Sequence, residues 1–294
     1  MPYPLHTPVM LAEVIHYLSP MSGKRFIDAT LGYAGHTLEL LKAGAEVVGI
    51  DRDGDLLAIA TKRIADAGFG KQFTPINYSF ADALDKERNI LDGKFDGILF
   101  DLGVSSYQLD TPERGFSFRY DAPLDMRMDQ RLAVTAADLV NGLGKNELTE
   151  LFLTLGEEGN AKRIANAICT ERLIHKIETT EQLSSLIIET VGRSRGIHPA
   201  TKVFQALRMA VNSERLELKA ALPSALSFLN EGGIIATIAF HSLEDRIIKS
   251  WMNDAVSAGQ IELMTDGPVE PSSAEVGKNP RSRSAKLRVA KRIA

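Results

Sequence analysis

The chain has 294 residues, of which 44% are hydrophobic, and a formal net charge of −4 at pH 7. This length and composition predict a full-sized buried core and argue against general disorder. The single cysteine, Cys169, excludes an internal disulfide framework and a thiolate cluster for zinc or iron–sulfur binding. Residues 1–10 do not resemble a signal peptide, and no run approaches the ~18 apolar residues of a membrane span, so we expect a cytoplasmic protein with no membrane partner.

Strand-like and helix-like segments alternate through the first third of the chain. Short buried strands are predicted at 25–28, 47–50, 73–77 and 95–100, and helices at 35–43 and 53–67. This alternation is typical of an α/β fold with a parallel, doubly wound, Rossmann-like sheet.

The pattern changes after Ser106. Residues 106–129 have no clear period and are predicted to form an ordered loop, whereas residues 135–191 have apolar residues at helical spacing and no strand signal. We therefore expect an inserted all-helical domain. The predicted domains are residues 1–106, the first part of the core; 107–199, the loop with the helical substrate-recognition domain; and 200–294, the rest of the core.

The last part of the chain is predicted to return to the sheet. Residues 200–222 have the pattern of one helix that Pro223 interrupts or restarts. Gly232 and Gly233 then introduce a strand at 234–240, and 261–264 and 287–293 are candidates for a closing antiparallel pair. The segment 277–294 contains seven Lys or Arg and no acid, so a polyanion would bind to a local patch.

An acidic, glycine-bearing turn, residues 28–36, follows the first predicted strand. A turn between a strand and a helix N-terminus points backbone N–H groups at a bound ligand. Asp28 would repel a pyrophosphate there, which disfavours a nicotinamide oxidoreductase, but it suits the sulfonium and ammonium of S-adenosylmethionine. Asp51 ends the second strand 19 positions after Gly32, near the spacing at which an acid meets ribose hydroxyls. A glycine turn that only lets the helix pack on the strand is the alternative.

Asp101 ends the fourth predicted strand, where open parallel sheets bind ligands. In methyltransferases that act on exocyclic base amines, a polar residue at this place accepts a hydrogen bond from the amine. Asp101 is therefore the candidate catalytic residue. The alternatives are that it caps a turn or binds the cofactor alone.

Four further segments contain residues suited to RNA contact or to chemistry. The loop 114–129 could grip a base and its phosphates, or it could be a structure held by internal ion pairs. In the helix that His198 opens, Lys202 and Arg208 could face RNA, whereas Phe204 and Leu207 are expected in the core. His241 follows the fifth predicted strand. It could act as a base, or it could position the substrate or support the scaffold. The basic segment 279–288 suits phosphate contact, with a solvated tail as the alternative.

The six histidines lack the i, i+4 pairing of a zinc helix, and no metal site is predicted. His6 and His36 are nevertheless expected to converge near the cofactor, because both belong to elements that border the first strand.

Taken together, these segments resemble the bacterial ribosomal RNA small subunit methyltransferase H family, also called MraW, nearly end to end. The matching stretches are 6–11, 28–36, 100–106, 114–118, 125–129, 198–207, 240–246 and 279–288. The resemblance implies an S-adenosylmethionine-dependent enzyme that methylates N4 of a cytosine in the decoding centre of 16S ribosomal RNA. Its partner would be the 16S rRNA within the small ribosomal subunit.

The resemblance also implies particular cofactor contacts in this chain. They are Ala34, Gly35 and His36 in the turn, Asp51 on the ribose, Phe80 beside the adenine, and Asp101 and Gln108 near the methionine end. The family usually has Gly-Gly-His where this chain has Ala34-Gly35-His36, so a slightly altered turn is expected without loss of binding.

Two other functions stay open at this point. One is an amine methyltransferase that acts on DNA or protein, although the Pro-Pro-aromatic sequence common in the DNA enzymes is missing after Asp101. The other is a non-catalytic RNA-binding assembly factor, which the acids at 28, 51 and 101 disfavour. The sequence leaves the oligomeric state open, including a homodimer.

Overall fold

One seven-stranded sheet organises the larger part of the computed structural model, which describes residues 7–193 and 196–293. The strands are β1 (Arg25–Asp28), β2 (Glu46–Ile50), β3 (Phe73–Ile76), β4 (Phe95–Asp101), β5 (Leu229–Ala239), β6 (Ile261–Leu263) and β7 (Lys286–Arg292). Their order is β3-β2-β1-β4-β5-β7-β6, and the first five are parallel, whereas β7 is antiparallel to β5 and β6. The predicted α/β fold with a parallel sheet and a closing antiparallel pair is confirmed.

Helices connect and flank these strands. They are α1 (Leu11–Leu18), α2 (Gly35–Lys42), α3 (Gly54–Asp66), α4 (Phe80–Ala83), α5 (Ser106–Asp110), α6 (Ala136–Gly142), α7 (Lys145–Gly156), α8 (Ala161–Glu171), α9 (Thr180–Val191), α10 (Thr201–Val211), α11 (Glu214–Phe228), α12 (Ser242–Ser257) and α13 (Ser273–Lys278). Short 3₁₀ helices lie at Lys86–Arg88, Pro112–Arg114 and Pro280–Ser284.

The sheet is buried on both faces, as the continuous apolar runs of its central strands require. Successive residues of a strand point to opposite faces, so Phe26 and Ile27 belong to different hydrophobic clusters. Helices α1, α2 and α3 contribute to the cluster around Phe26. Helices α11 and α12 contribute to the cluster around Ile27. This is the doubly wound arrangement.

The strand order reverses between β1 and β4. From β1 the chain proceeds outward to β2 and β3, and it then returns to place β4 on the other side of β1. Ligands of open α/β sheets bind at such a switch point, outside the carboxyl ends of the strands. The residues that follow β1 and β4 therefore frame the expected site.

The chain divides into two compact units. The sheet unit comprises the residues up to Gly103 and those from Arg215 onward, and the second unit is Val104–Glu214. The second unit has its own hydrophobic cluster, to which Leu148, Phe152 and Ile164 contribute. The second unit includes α10, whereas the sequence pattern predicts that residues 200 onward belong to the core.

The predicted single helix over 200–222 is wrong. It is two helices, α10 and α11, separated at Asn212 and Ser213, and Ser213 has a left-handed φ of 51°. The Asn212 side chain accepts the Met128 N–H at 2.7 Å and donates to the Met126 carbonyl at 2.8 Å. Because these bonds reach a distant loop, the local pattern could not predict the break.

Two smaller boundaries also differ from the prediction. Pro223 lies inside α11 and does not end it. Strand β5 begins at Leu229 and includes the two glycines that were expected to precede it, with a register shift against β4 between Phe95 and Gly97. The irregular pairing lets the strand continue through residues that would break a regular one.

Candidate functional site

The site begins where β1 and β4 end side by side. Asp28 pairs with Leu99 in the register of the two strands, and the hydroxyl of Thr30 accepts the backbone N–H of Asp101 at 2.6 Å. The two predicted acids thus flank the switch point of the sheet. Their surroundings give them different roles.

Asp28 is buried and holds the turn together. One carboxylate oxygen accepts the Thr37 hydroxyl at 2.7 Å, and the other accepts the Thr30 N–H at 3.3 Å. Burial raises the pKa of Asp28 to about 6, and the bonds from Thr37 and Thr30 oppose that rise. Because both of its oxygens accept hydrogen bonds within the protein, Asp28 stabilises the turn that forms the site.

The turn after β1 approaches the start of the described chain closely. Ala34 is buried with a left-handed φ of 61°, and Gly35 begins α2. A Cβ atom at Gly35 would lie 2.7 Å from Cγ of Pro8, too close for any ordinary side chain. Arg63 fixes the other side of the turn by donating to the Tyr33 carbonyl at 2.7 Å. The result is a narrow cradle of backbone at the N-terminus of a helix.

His36 lies between this cradle and Asp101. Its Nε2 is 3.0 Å from the Val9 carbonyl, which can only accept, so Nε2 carries a proton. Its Nδ1 is 3.7 Å from Oδ2 of Asp101. His6, which was expected to converge here with His36, lies outside the described residues.

Asp101 has one carboxylate oxygen that is buried and whose hydrogen-bonding capacity the described residues leave unsatisfied. Among the residues that the structure describes, no hydrogen-bond partner reaches its buried Oδ1. Burial, with the negative charges of Asp28 and Glu244, raises the pKa of Asp101 well above its ordinary value. A buried acceptor without a partner is costly, so the arrangement is suited to a cationic or N–H-bearing ligand.

Asp51 stands at the end of the neighbouring strand β2. Its two oxygens accept the backbone N–H groups of Gly32 at 3.0 Å and Asp53 at 2.9 Å. Burial raises the pKa of Asp51 to about 7, although the two hydrogen bonds lower it. A carboxylate oxygen has more than one acceptor direction, so both bonds leave room for a ribose hydroxyl.

Phe80 is half-buried at the start of α4. Its ring packs edge-on against Phe100, with the ring centres 5.6 Å apart, and the Arg52 guanidinium lies 5.7 Å from its centre. Ser79 caps the helix through the Asp82 N–H. The ring is therefore held in one place.

Gln108 lies in the second unit. Its carboxamide oxygen accepts the Ser105 N–H at 3.1 Å, and the Ser105 hydroxyl accepts the Gln108 N–H at 3.2 Å. This capping box fixes the start of α5. The other six predicted site residues, Ala34, Gly35, His36, Asp51, Phe80 and Asp101, all belong to the sheet unit.

Glu244 was not predicted as a site residue. It is buried in the first turn of α12, where its Oε2 accepts the Phe240 N–H at 2.9 Å. Its own N–H bonds to Nδ1 of His241 at 3.4 Å, so histidine acts as the helix N-cap. Because the N-cap is a histidine and not Ser, Thr, Asp or Asn, the usual capping-box signature is absent from the sequence, and no local signal pointed to Glu244.

The loop 114–129 is held by internal bonds. Arg114 is buried and donates to the carbonyls of Arg127 and Met128, both at 2.9 Å. Arg127 forms a bidentate ion pair with Asp125, and Arg131 forms one with Asp129. These contacts favour the interpretation of a salt-bridged structural loop.

The two other basic segments are partly committed to the fold. Lys202 donates to the Glu157 carbonyl, and Arg208 forms an ion pair with Glu214 at 2.8 Å. Arg288 likewise pairs with Asp245 at 2.8 Å, whereas Arg283 is exposed. Among the basic residues of these segments, an exposed arginine such as Arg283 can contact a polyanion, whereas the others named here also stabilise the fold.

The open parallel sheet has an acid at each side of its switch point, a backbone cradle and a third acid directly after β2. These features define a Rossmann-like enzyme of the class I methyltransferase type. The sequence matches the MraW methylase family over residues 4–293. The chain belongs to that family and is an S-adenosylmethionine-dependent methyltransferase.

Relatives match nearly the whole chain. A ribosomal RNA small subunit methyltransferase H from Cyanothece sp. is 47% identical over 292 residues, which cover 98% of this chain and 95% of the relative. Another of the same name from Persephonella marina is 44% identical and covers 98% and 99%. The crystal structure of an rRNA methylase from Streptococcus thermophilus aligns over 99% of this chain and 100% of its own, with 11% identity and a TM-score of 0.48.

No helix within the described residues combines the length and the apolar composition needed to cross a membrane.

Proposed function

We propose that this chain methylates the exocyclic N4 of one cytosine in the decoding centre of 16S rRNA. The relatives that match nearly the whole chain are named for methylation of small-subunit ribosomal RNA. The substrate would be the rRNA within the small ribosomal subunit, met in the cytoplasm. The observation that carries the proposal is the buried Oδ1 of Asp101, which has no partner within the described residues.

The residues at the edge of the sheet fit the cofactor. Backbone groups of Ala34, Gly35 and His36 form the cradle, and the carboxylate of Asp51 suits the ribose. The fixed ring of Phe80 suits the adenine. Asp101 and Gln108 are each proposed to contact the methionine end. The close approach of Pro8 at Gly35 supports this placement, because it leaves room in the cradle for backbone but not for a side chain.

Asp101 is also proposed to orient the target amine. The amine of cytosine is a weak nucleophile because its lone pair is delocalised into the ring. A hydrogen bond from its N–H to Asp101 favours the pyramidal nitrogen that attacks in line. When bound, S-adenosylmethionine supplies an electrophilic methyl group on its sulfonium. Asp101 therefore acts by position and charge.

No strong base is needed at the reaction centre. The amine becomes acidic once it carries the methyl group, so its proton leaves readily. His241 is proposed as a scaffold residue, since its Nδ1 caps α12 through the Glu244 N–H. The target base would be unstacked from the RNA, which costs least in a loop or junction.

The test is transfer of labelled methyl from S-adenosylmethionine to small ribosomal subunits that lack the modification, followed by nucleoside analysis by mass spectrometry. We expect N4-methylcytidine at a single site. Label in DNA or protein, but not in rRNA, would favour the amine methyltransferase alternative. Cofactor binding without transfer to any of these substrates would favour a non-catalytic assembly factor. Whether the active form is a homodimer stays a prediction that sedimentation of the same sample would address.

A further inference from the structure

Glu244 is a buried carboxylate with a fixed position in the sheet unit. Its side chain is 6% exposed in the first turn of α12, a helix of sixteen residues. Oε2 accepts the Phe240 N–H at 2.9 Å, and Oε1 lies 3.0 Å from Nε2 of His241. Capping a helix requires one acceptor and no charge, so a carboxylate is more than the cap itself needs.

The fold brings this carboxylate to the same sheet edge as Asp101. Strands β4 and β5 are parallel neighbours, in which Asp101 pairs with Ile238 and the Leu102 N–H donates to the Ile238 carbonyl at 3.0 Å. Phe240 follows β5 and packs beside Gly103. Through its bond to Phe240, Glu244 is anchored at that edge, and its negative charge contributes to the raised pKa of Asp101.

This placement gives the site an electrostatic preference between its substrate and its product. S-adenosylmethionine has a sulfonium, whereas S-adenosylhomocysteine has an uncharged thioether at the same atom and is otherwise nearly identical. We propose that Glu244 is a specificity-determining residue, whose buried negative charge makes the site bind the sulfonium cofactor in preference to the thioether product. The inference rests on the proposed placement of the methionine end at Asp101.

The carboxylates of the sheet unit at this edge act in the same direction. Asp28, Asp101 and Glu244 provide negative charge, and His36 and His241 are the histidines beside them. A positive charge on the sulfonium is attracted to the carboxylates, and protonation of a carboxylate at this edge weakens that attraction. The thioether has no charge, so its affinity responds less. The preference should therefore grow as the pH rises.

The test compares the dissociation constants of the two ligands in Glu244→Gln. Glutamine retains an oxygen for the Phe240 N–H but removes the charge. We expect affinity for S-adenosylmethionine to fall by roughly tenfold relative to the wild-type protein, with little change for S-adenosylhomocysteine. Isothermal titration calorimetry at pH 8 measures both without RNA.

Asp245→Asn is the matched control. It removes the same charge from the same helical turn, but Asp245 is already paired with Arg288 at 2.8 Å and lies near Lys286. The ratio of the two dissociation constants should stay at its wild-type value in this variant. A purely structural role of Glu244 would weaken both ligands equally and leave the ratio unchanged.

A second measurement needs no variant. In the wild-type protein, the ratio of the two affinities should shift toward S-adenosylmethionine between pH 5.5 and pH 8. An unchanged ratio across that range, or in Glu244→Gln, overturns the inference while leaving RNA methylation intact. Failure of the wild-type chain to bind either ligand would overturn the proposed cofactor placement as well. Binding with the expected ratio but without methyl transfer to rRNA would overturn only the proposed substrate.

Discussion

The hydroxyl of Thr30 accepts the backbone N–H of Asp101 at 2.6 Å, which ties the ends of β1 and β4 together across the switch point. The pairing of β1 with β4 ends at Asp28 and Leu99, so this bond continues the contact between the two strands beyond their regular ladder. It fixes the direction in which the Asp101 side chain leaves the sheet. The geometry of the candidate site thus depends on a threonine that contacts no ligand in our proposal.

Thr30→Ala should weaken cofactor binding by roughly tenfold and lower the free energy of unfolding by about 1 kcal/mol, because a backbone N–H loses its acceptor. Calorimetric titration with S-adenosylmethionine and thermal unfolding measure the two effects. Thr30→Ser retains the hydroxyl and should restore binding. Equal losses in both variants would show that the threonine methyl group, not the hydrogen bond, matters.

Asp101→Asn should reduce the rate of methyl transfer by about a hundredfold, because an amide supplies neither the negative charge nor a second acceptor oxygen. The unfolding temperature should not fall, since the substitution removes a buried charge. Single-turnover transfer to small-subunit RNA, with saturating cofactor, is the measurement. Asp254→Asn, exposed on α12, is the control for a lost charge. Full turnover in Asp101→Asn would contradict a contact with the target amine.

The pH dependence of stability should report the buried Asp28. Its folded pKa of about 6 exceeds the model-peptide value of 3.8, so the native state binds the proton more tightly than the unfolded state. Stability from this group is present below pH 3.8 and is lost as the pH rises through about 6. Asp28→Asn, which keeps hydrogen bonds to Thr30 and Thr37, should therefore be more stable than wild type at pH 8 by about 1–3 kcal/mol. Denaturant unfolding at pH 4 and pH 8 tests this; a difference that does not grow with pH would contradict it.

The turn should tolerate substitution at one position and not at the next. Gly35→Ala places a Cβ 2.7 Å from Cγ of Pro8, so the cradle must open and cofactor affinity should fall by at least about tenfold. Ala34→Gly relieves a left-handed alanine but adds freedom to the unfolded chain, so stability should change by less than about 1 kcal/mol. Both are measured by cofactor titration and thermal unfolding. Comparable loss of binding in the two variants would contradict the close approach of Pro8.

The basic segment at 279–288 should separate into RNA-contacting and structural residues. Arg283→Ala should weaken binding to small-subunit RNA and reduce the slope of log affinity against log salt by up to about 1, without a change in unfolding temperature. Arg288→Ala should instead lower the unfolding temperature, because Asp245 loses its ion-pair partner. Filter binding at several salt concentrations distinguishes them. The same salt slope in wild type and Arg283→Ala would place the RNA contact elsewhere.

The sequence alone determined most of the sheet and the class of ligand. Strands and helices of the first third follow from local hydrophobic period, and confirmed elements such as β1 and α3 lie within one or two residues of their predicted bounds. A strand end followed by a glycine turn is visible in the local sequence, and the acid Asp28 at that place indicated a cationic cofactor. The family followed from several short motifs in one order.

Only the tertiary structure decided which role each acidic residue of the site has. Asp28 and Asp101 are alike in the sequence, but the fold engages both oxygens of Asp28 and leaves Oδ1 of Asp101 without a partner within the described residues. The break at Asn212 and the approach of Glu244 to the sheet edge likewise arise between segments far apart in the chain. Hydrophobic period reports which face of an element is buried. The hydrogen bonds and charges that a buried group meets depend on which strands become neighbours, and that is set by packing of the whole chain.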